Sequence, residues 1–515
     1  MKSKHTNLEQ VTADEWATCI KVLQLACDDP DTYAAAKDMK TLTGLVTKLY
    51  KFSRKQRRKL SEQSRRETNR VLLESSLRCQ SEPLDELTID RATQTLSVKQ
   101  RRQLNRETNR VLLESSLRCQ SEPLDELTME NATHAITQPT ATYQKYNKFI
   151  RCYICKQKYN EIHFFYHNLC PSCAEYNYAK RQQRADLNGR VAFITGGRIK
   201  IGYETVLKLL RDGARVITTT RFPRDAAHRY AQEADFETWQ HRLKIYGLDL
   251  INIPRVEEFI HHLLDSEPYI DIIINNAAQT VKKPMDFYAH LIAIETAPVA
   301  ALPEKMQTLL GSYNNNLPSQ QELTPDKAVL QPVLPTTPDF PAGKYDSHGQ
   351  QIDLRSHNSW VTTLDNVDTV ELLEVHLVNA LSPFLFNSRL KPLLLSSPHP
   401  KRFIVNVSAM EGKFSYANKT PRHPHTNMAK AALNMMTRTS AKDYAQDNIF
   451  MNSVDTGWIT QENPYPKKTR VRKNGFVPPL DIIDGTARVY DPIVQGIEGA
   501  PIYGQFLKDY QPTNW

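Results

Sequence analysis

From position 189 onward, apolar residues recur in short continuous runs: Val191–Thr195, Ala214–Thr219, Leu243–Leu248, Ile270–Asn275, Phe403–Val407 and Met451–Val454. Runs of this length, bounded by turn residues and separated by stretches of helical period, suit strands buried on both faces. Their alternation with helices is the βαβ rhythm of a parallel sheet. The pattern predicts an α/β domain over residues 186–515 with a doubly wound parallel sheet. The rhythm breaks at about 285–370, where Pro298, Pro303, Pro318, Pro325, Pro332, Pro335, Pro338 and Pro341 accompany an Asn314-Asn315-Asn316 run. This Pro-rich insertion reads as unstructured, either disordered or a lid.

The first half of the chain has a different pattern. Thr12-x-x-Glu15 has capping-box spacing, and Trp16, Ile20, Leu23 and Cys27 then fall on one helical face. With a second helix expected from Tyr33 to Tyr50, residues 1–50 read as a helical N-terminal segment. Residues 51–130 read as a basic helical arm. It carries the same 23 residues twice, at 66–88 and 106–128, an internal duplication with too few copies for a solenoid. Pro83 and Pro123 are expected to end the helix of each copy.

Composition narrows the class. The chain has 515 residues, 40% hydrophobic and 24% charged, with 66 Lys and Arg against 57 Asp and Glu and a net charge of +9. These averages suit a globular protein of two or three modules. The charge is uneven, since 51–70 holds nine basic residues against two acidic. That stretch lacks interleaved aromatics for base stacking, so a solvated helical face is favoured over nucleic-acid binding, with a nuclear-import signal or a protein partner for the arm as further readings. Met1–Val11 is polar and no stretch approaches 18 uninterrupted apolar residues, so neither a secretory signal nor a spanning helix is read, and a cytoplasmic location is expected.

Of eight cysteines, four lie in paired C-x-x-C spacing and two are copies within the repeat. Cys152-x-x-Cys155 and Cys170-x-x-Cys173, separated by 14 residues, have the spacing of two thiolate knuckles closing one tetrahedral site, which makes residues 150–175 a small zinc knuckle. Four thiolates leave no open position for water, so this zinc is expected to be structural. A redox C-x-x-C or free thiols are the alternative. His163 and His167 inside the loop are read as packing or exposed residues, with replacement of one cysteine ligand by a histidine left open.

Between the first strand and its helix stands Thr195-Gly196-Gly197-Arg198-Ile199-Lys200-Ile201-Gly202, the context a dinucleotide-binding turn requires. Asn275-Asn276-Ala277-Ala278, Asn379 in N-A-L-S-P-F-L and Lys430 in M-A-K-A-A follow in order. On these motifs Gly189 to about Lys508, about three fifths of the chain, resembles the short-chain dehydrogenase/reductase superfamily. The resemblance implies a Rossmann fold whose T-G-x-x-x-G-x-G turn faces a pyrophosphate. Lys200 replaces the middle glycine, and its ammonium is expected to act as a point charge on the phosphates. The second strand ends in Thr219-Thr220-Arg221 with no acid for a ribose 2′-hydroxyl, so NADP(H) is favoured, with Arg198 and Arg221 on the 2′-phosphate. Asp249 resembles the family's adenine-contacting acid, and Asn276 and Ala277 its N-N-A-G strand end.

In this family a tyrosine donates the proton, a lysine four residues later lowers its pKa and holds the ribose, a serine orients the carbonyl and an asparagine supports a water relay. Here Asn379 and Lys430 match. The tyrosine position is Thr426, and the serine aligns with Ala409, Ser408 being adjacent. A threonine hydroxyl is too weak an acid and too short to replace a lysine-poised phenol, so the catalytic site reads as degenerate. His425, His423 and Tyr416 are candidate substitutes, with a surface loop as the plain alternative. Two functions follow: an oxidoreductase using NADP(H) on a carbonyl or alcohol substrate, or a non-catalytic NADP(H)-binding sensor or scaffold. A homodimer through the Lys430 helix and its neighbour is a further implication of the resemblance.

Overall fold

A computed structural model describes residues 12–28, 44, 47, 144–313, 338–346, 348–416 and 418–515. The expected second N-terminal helix apart from two residues, the basic arm and both copies of the repeat lie outside them, as does the centre of the Pro-rich insertion. The chain divides into two units, Met1–Leu72 and Leu73–Trp515. In the first, α1 (Ala13–Asp28) begins with a reciprocal cap. The Thr12 N–H donates to Glu15 Oε2 at 2.8 Å, and the Glu15 N–H donates to Thr12 Oγ1 at 3.3 Å.

The second unit opens with a small module. β1 (Gln144–Arg151) pairs antiparallel with β2 (Lys158–Ile162), and α2 (Pro171–Gln182) starts just after Cys170. The main domain follows: β3 (Val191–Thr195), α3 (Lys200–Arg211), β4 (Arg215–Thr220), α4 (Pro223–Tyr230), β5 (Leu243–Gly247), α5 (Ile253–Ser266) and β6 (Ile272–Asn275). After the insertion, which contains α6 (Ala289–Thr296), come α7 (Thr369–Arg389), β7 (Arg402–Ser408), α8 (Pro424–Gln446), β8 (Ile449–Asp455), α9 (Tyr465–Lys473), α10 (Ile482–Glu498), β9 (Phe506–Lys508) and β10 (Gln511–Thr513).

The sheet order is β10-β9-β8-β7-β6-β3-β4-β5, parallel except for β10, which runs back against β9. All six expected strands are present. β9 and β10 were not foreseen, being three residues each in F-L-K and Q-P-T, too short to show a period. Alternate residues of β3 feed opposite cores. Ala192 and Ile194 pack with Leu207, Leu210, Tyr490 and Ile493 on one face, while Val191 and Phe193 pack with Phe259, Leu263, Phe386 and Leu390 on the other. Burying each large side chain contributes about 1.5–3 kcal/mol, so two such layers fix the sheet between α3 and α10 on one side and α5 and α7 on the other. Strand order reverses at β3 and β6, which opens a crevice at their carboxyl ends.

The insertion departs from expectation. Among the described residues it is structured: Leu302, Met306 and Leu309 enter the first core, and 309–311 lie along β5, with the Ile245 N–H donating to the Leu309 carbonyl at 2.8 Å. Pro298 and Pro303 each stand just before a short helical turn, where a missing N–H costs nothing. One described helix, Thr369–Arg389, is long and apolar enough to cross a membrane, although no run in it is uninterrupted. It packs against α8 along one side.

Candidate functional site

The glycine turn is built by close approach. Gly196 has φ +75°, and a Cβ there would meet Ala277 at 3.0 Å; on Gly202 it would meet the Gly196 carbonyl at 2.1 Å. Only glycine fits such spaces, and the second lets α3 begin directly above the end of β3. Thr195 ties the two central strands together, its hydroxyl accepting from the N–H groups of Asn276 at 3.1 Å and Ala277 at 3.0 Å. The Asn276 amide donates to the carbonyls of Thr195 and Gly196 at 3.1 and 3.2 Å. Lys200, where a glycine was expected, takes up the left-handed conformation itself, with φ +54°.

At the far end of β4 the two arginines expected on a 2′-phosphate have protein partners. Arg198 is buried and donates to Asp225 at 2.8 Å, a contact between the glycine turn and α4 that sequence reading missed. Burial would raise the Asp225 carboxyl, but Arg229 and Arg198 outweigh it and hold it below the usual range. Arg221 is exposed and donates to the Tyr288 hydroxyl of the insertion at 2.7 Å. The insertion is fastened here, because Glu295 accepts from the N–H groups of Arg224 and Asp225 at 3.2 and 2.8 Å. Asp249 is half-buried and accepts from the Ile251 N–H at 3.1 Å.

At the opposite end, Asn379 sits in a π turn, Leu377–Leu381, inside α7. Its side chain accepts from the Gln279 N–H at 2.7 Å and donates to the Gln279 carbonyl at 3.1 Å, which pins the chain leaving β6. Lys430 is buried on α8 and donates to the Val407 carbonyl at 2.8 Å. Burial pulls its pKa down to about 8, with Glu411 opposing. Thr426 is 3% exposed, and its hydroxyl has no hydrogen-bond partner among the described residues. Ser408 ends β7, and its hydroxyl donates to Asn434 Oδ1 at 2.6 Å. His425 is buried, not on a surface loop, and its Nε2 lies 3.2 Å from Glu371. His423 stacks on Trp360 at 4.0 Å between ring centroids, and Tyr416 is exposed.

The four cysteines converge. The Sγ atoms of Cys152, Cys155, Cys170 and Cys173 lie within 4.8 Å of one another, a set of four thiols that fits a tetrahedral cation. His163 stands apart, its Nδ1 accepting from the N–H groups of Phe165 and Tyr166 at 3.1 and 3.2 Å, and His167 Nε2 lies 3.4 Å from the Val477 carbonyl.

Residues 190–293 match the family model for short chain dehydrogenase, and residues 350–472 that for enoyl-(acyl carrier protein) reductase. Uncharacterized protein R665 of Acanthamoeba polyphaga mimivirus is 31% identical over 354 residues, 66% of this chain and 71% of that one. The chain belongs to the short-chain dehydrogenase/reductase superfamily. Another relative, dehydrogenase/reductase SDR family member 13 of Bos taurus, is 38% identical over 93 residues, 18% of this chain and 24% of its own length. A crystal structure of NADPH-bound carbonyl reductase from chicken fatty liver is 17% identical, spanning 64% of this chain and all of that one at a TM-score of 0.39. Within this short-chain dehydrogenase/reductase domain, sequence reading missed a buried ladder beneath the cleft. Asn275 donates to Asn387 and Asn406 at 2.8 Å each, and Asn406 donates to the Thr437 hydroxyl at 2.9 Å.

Proposed function

We propose that this chain is an NADP(H)-dependent oxidoreductase acting on a carbonyl or alcohol, with its acid–base centre reduced to Lys430 and Asn379. The observation that carries the reading is Lys430. A buried ammonium held on a main-chain carbonyl beside the cleft is a costly arrangement for a scaffold and a useful one for holding a ribose and a proton. NADP(H), when bound, supplies or takes the hydride. Gly196, Gly197 and Ile201 would hold its pyrophosphate at the start of α3, aided by the Lys200 ammonium. Arg221 would turn from Tyr288 to the 2′-phosphate, while Arg198 would share itself with Asp225. Asp249 would face the adenine, and Asn276 and Ala277 the nicotinamide side. The free Thr426 hydroxyl would hold a water passing the proton at the substrate oxygen. The four cysteines would bind a structural zinc. Exposed Leu373, Leu381 and Phe384 on α7, with Met428 and Met435 on α8, support a homodimer.

A second reading, a nucleotide-binding sensor without turnover, is favoured by Thr426, by Ala409 and by the Ser408 hydroxyl being taken up by Asn434. Fluorescence titration with NADPH and NADH in parallel tests both. Micromolar binding that favours NADPH supports a nucleotide site, and a carbonyl screen then separates enzyme from sensor. Binding of neither nucleotide removes both readings.

A further inference from the structure

The segment 458–480, between β8 and α10, closes on itself at the neck, where the Leu480 N–H donates to the Trp458 carbonyl at 3.3 Å. The neck meets the cysteine module at several points. Tyr153, between Cys152 and Cys155, accepts from the Trp458 N–H at 3.0 Å. His167 Nε2 lies 3.4 Å from the Val477 carbonyl. Arg181 on α2 pairs with Asp481 at 2.6 Å and Asp484 at 2.9 Å, and the Tyr166 hydroxyl donates to the same Asp484. These groups come from the first knuckle, from the loop leading to the second and from the helix that starts within the second, so their relative positions depend on what joins the four thiols.

The body of the loop touches the cofactor cradle. Ile459 and Ile201, the latter in the glycine turn, both press on Gly485, where an added Cβ would meet them at 2.9 and 3.0 Å. Glu462 accepts from the Thr460 hydroxyl at 2.6 Å, and its carbonyl accepts from Asn358 of the insertion at 3.0 Å. Burial would raise the Glu462 carboxyl, but Lys200 and then Lys283 and Lys468 hold it low, so the glycine turn and the loop attract one another.

We propose that the four-cysteine metal centre is the anchor of the loop over the cofactor cleft, so that metal occupancy and nucleotide affinity are coupled. The inference rests on the zinc and nucleotide readings above. A module that cannot fold without its ion releases Tyr153, His167 and Arg181 together, and the neck opens. The coupling is reciprocal: whatever factor zinc adds to nucleotide affinity, nucleotide adds to zinc affinity.

The test uses the full chain. Zinc is quantified by elemental analysis before and after chelation, with trypsin cuts inside α9 followed by mass spectrometry and NADPH affinity followed by fluorescence. That helix offers Lys467, Lys468, Arg470, Arg472 and Lys473 to the protease. Chelation should speed cutting there and weaken NADPH by about fivefold or more. A Tyr153→Phe variant keeps every thiol and removes one neck contact, so it should retain zinc and still be cut several-fold faster. Unchanged cutting of α9 after zinc is shown to be gone overturns the proposal, as does a chain that binds no zinc. If the zinc-loaded chain binds no NADPH, the nucleotide reading fails while the cutting rate still decides the anchor.

Discussion

Lys430 Nζ lies 2.8 Å from the carbonyl of Val407, and this bond holds the ammonium at the end of β7 whatever stands four residues earlier. The lysine is therefore fixed by the sheet and does not need a tyrosine for its position. Restoring the phenol with Thr426→Tyr should raise turnover on a carbonyl by roughly 10²–10⁴-fold, the usual worth of a positioned acid. Lys430→Met should lose turnover in both backgrounds. Single-turnover oxidation of NADPH by a panel of aldehydes and ketones measures this, and a tyrosine variant no faster than the parent would show that another group already donates.

The same lysine gives the nucleotide site a pH dependence. Its pKa is lowered by burial from 10.5 to about 8, against the opposing pull of Glu411, so the charge that helps hold a ribose is present below about 8 and lost above it. NADPH affinity should fall as pH rises through 8, and Lys430→Met should bind more weakly with little slope. Stability moves the other way. Between about 8 and 10.5 the unfolded chain keeps a proton the native chain has released, so this group's contribution grows with pH across that window. Isothermal titration at several pH values, with melts of parent and variant, measures both slopes.

Lys200 holds φ +54° at the head of α3, a conformation costing an L-residue about 1–2 kcal/mol. Lys200→Gly relieves that cost but adds chain entropy to the unfolded state, so the net gain should be no more than about 1 kcal/mol. The variant should also lose affinity for NADPH, because the ammonium leaves the turn. Denaturant melts and nucleotide titration separate the two effects.

Arg221 is exposed and bonded to a tyrosine hydroxyl, whereas Arg198 is buried against Asp225. Removing them should have different results. Arg221→Ala should reduce the preference for NADPH over NADH by about tenfold, the loss of one charge-assisted contact, with little change in stability. Arg198→Ala leaves the Asp225 carboxylate with Arg229 as its remaining cation and should destabilise the fold by about 1 kcal/mol as well. Competition titrations and thermal melts of the two variants distinguish the roles.

How much of this was legible in the sequence depended on the reach of each interaction. Val191–Thr195 and its sister strands were readable because both faces are buried and the apolar run is continuous. The cysteine cluster was readable from spacing, since each knuckle is local. The insertion was not, because its order comes from partners far along the chain: Glu295 meets Arg224 and Asp225, and Leu309 meets Ile245. Prolines that looked like breakers stand at the starts of turns instead. Arg198 was seen and its acid, 27 residues on, was not. For Ser408 the sequence could place the residue but not the direction of its hydroxyl, which Asn434 on α8 decides.

The asparagine ladder across β6 and β7 carries a consequence for alignment of the sheet. A parallel sheet of continuous apolar runs has few ways to distinguish one pairing from its neighbour, because Ile272, Ile273 and Ile274 are nearly interchangeable as packing units. Slipping β6 by one position would point Asn275 into the opposite apolar layer, bury its amide without partners and take from Asn387 and Asn406 the two bonds it donates to their oxygens. The amides thus act as an index mark: the hydrocarbon layers around them can drift in composition while the strand ends that present Asn276 and Val407 to the cleft stay level with one another.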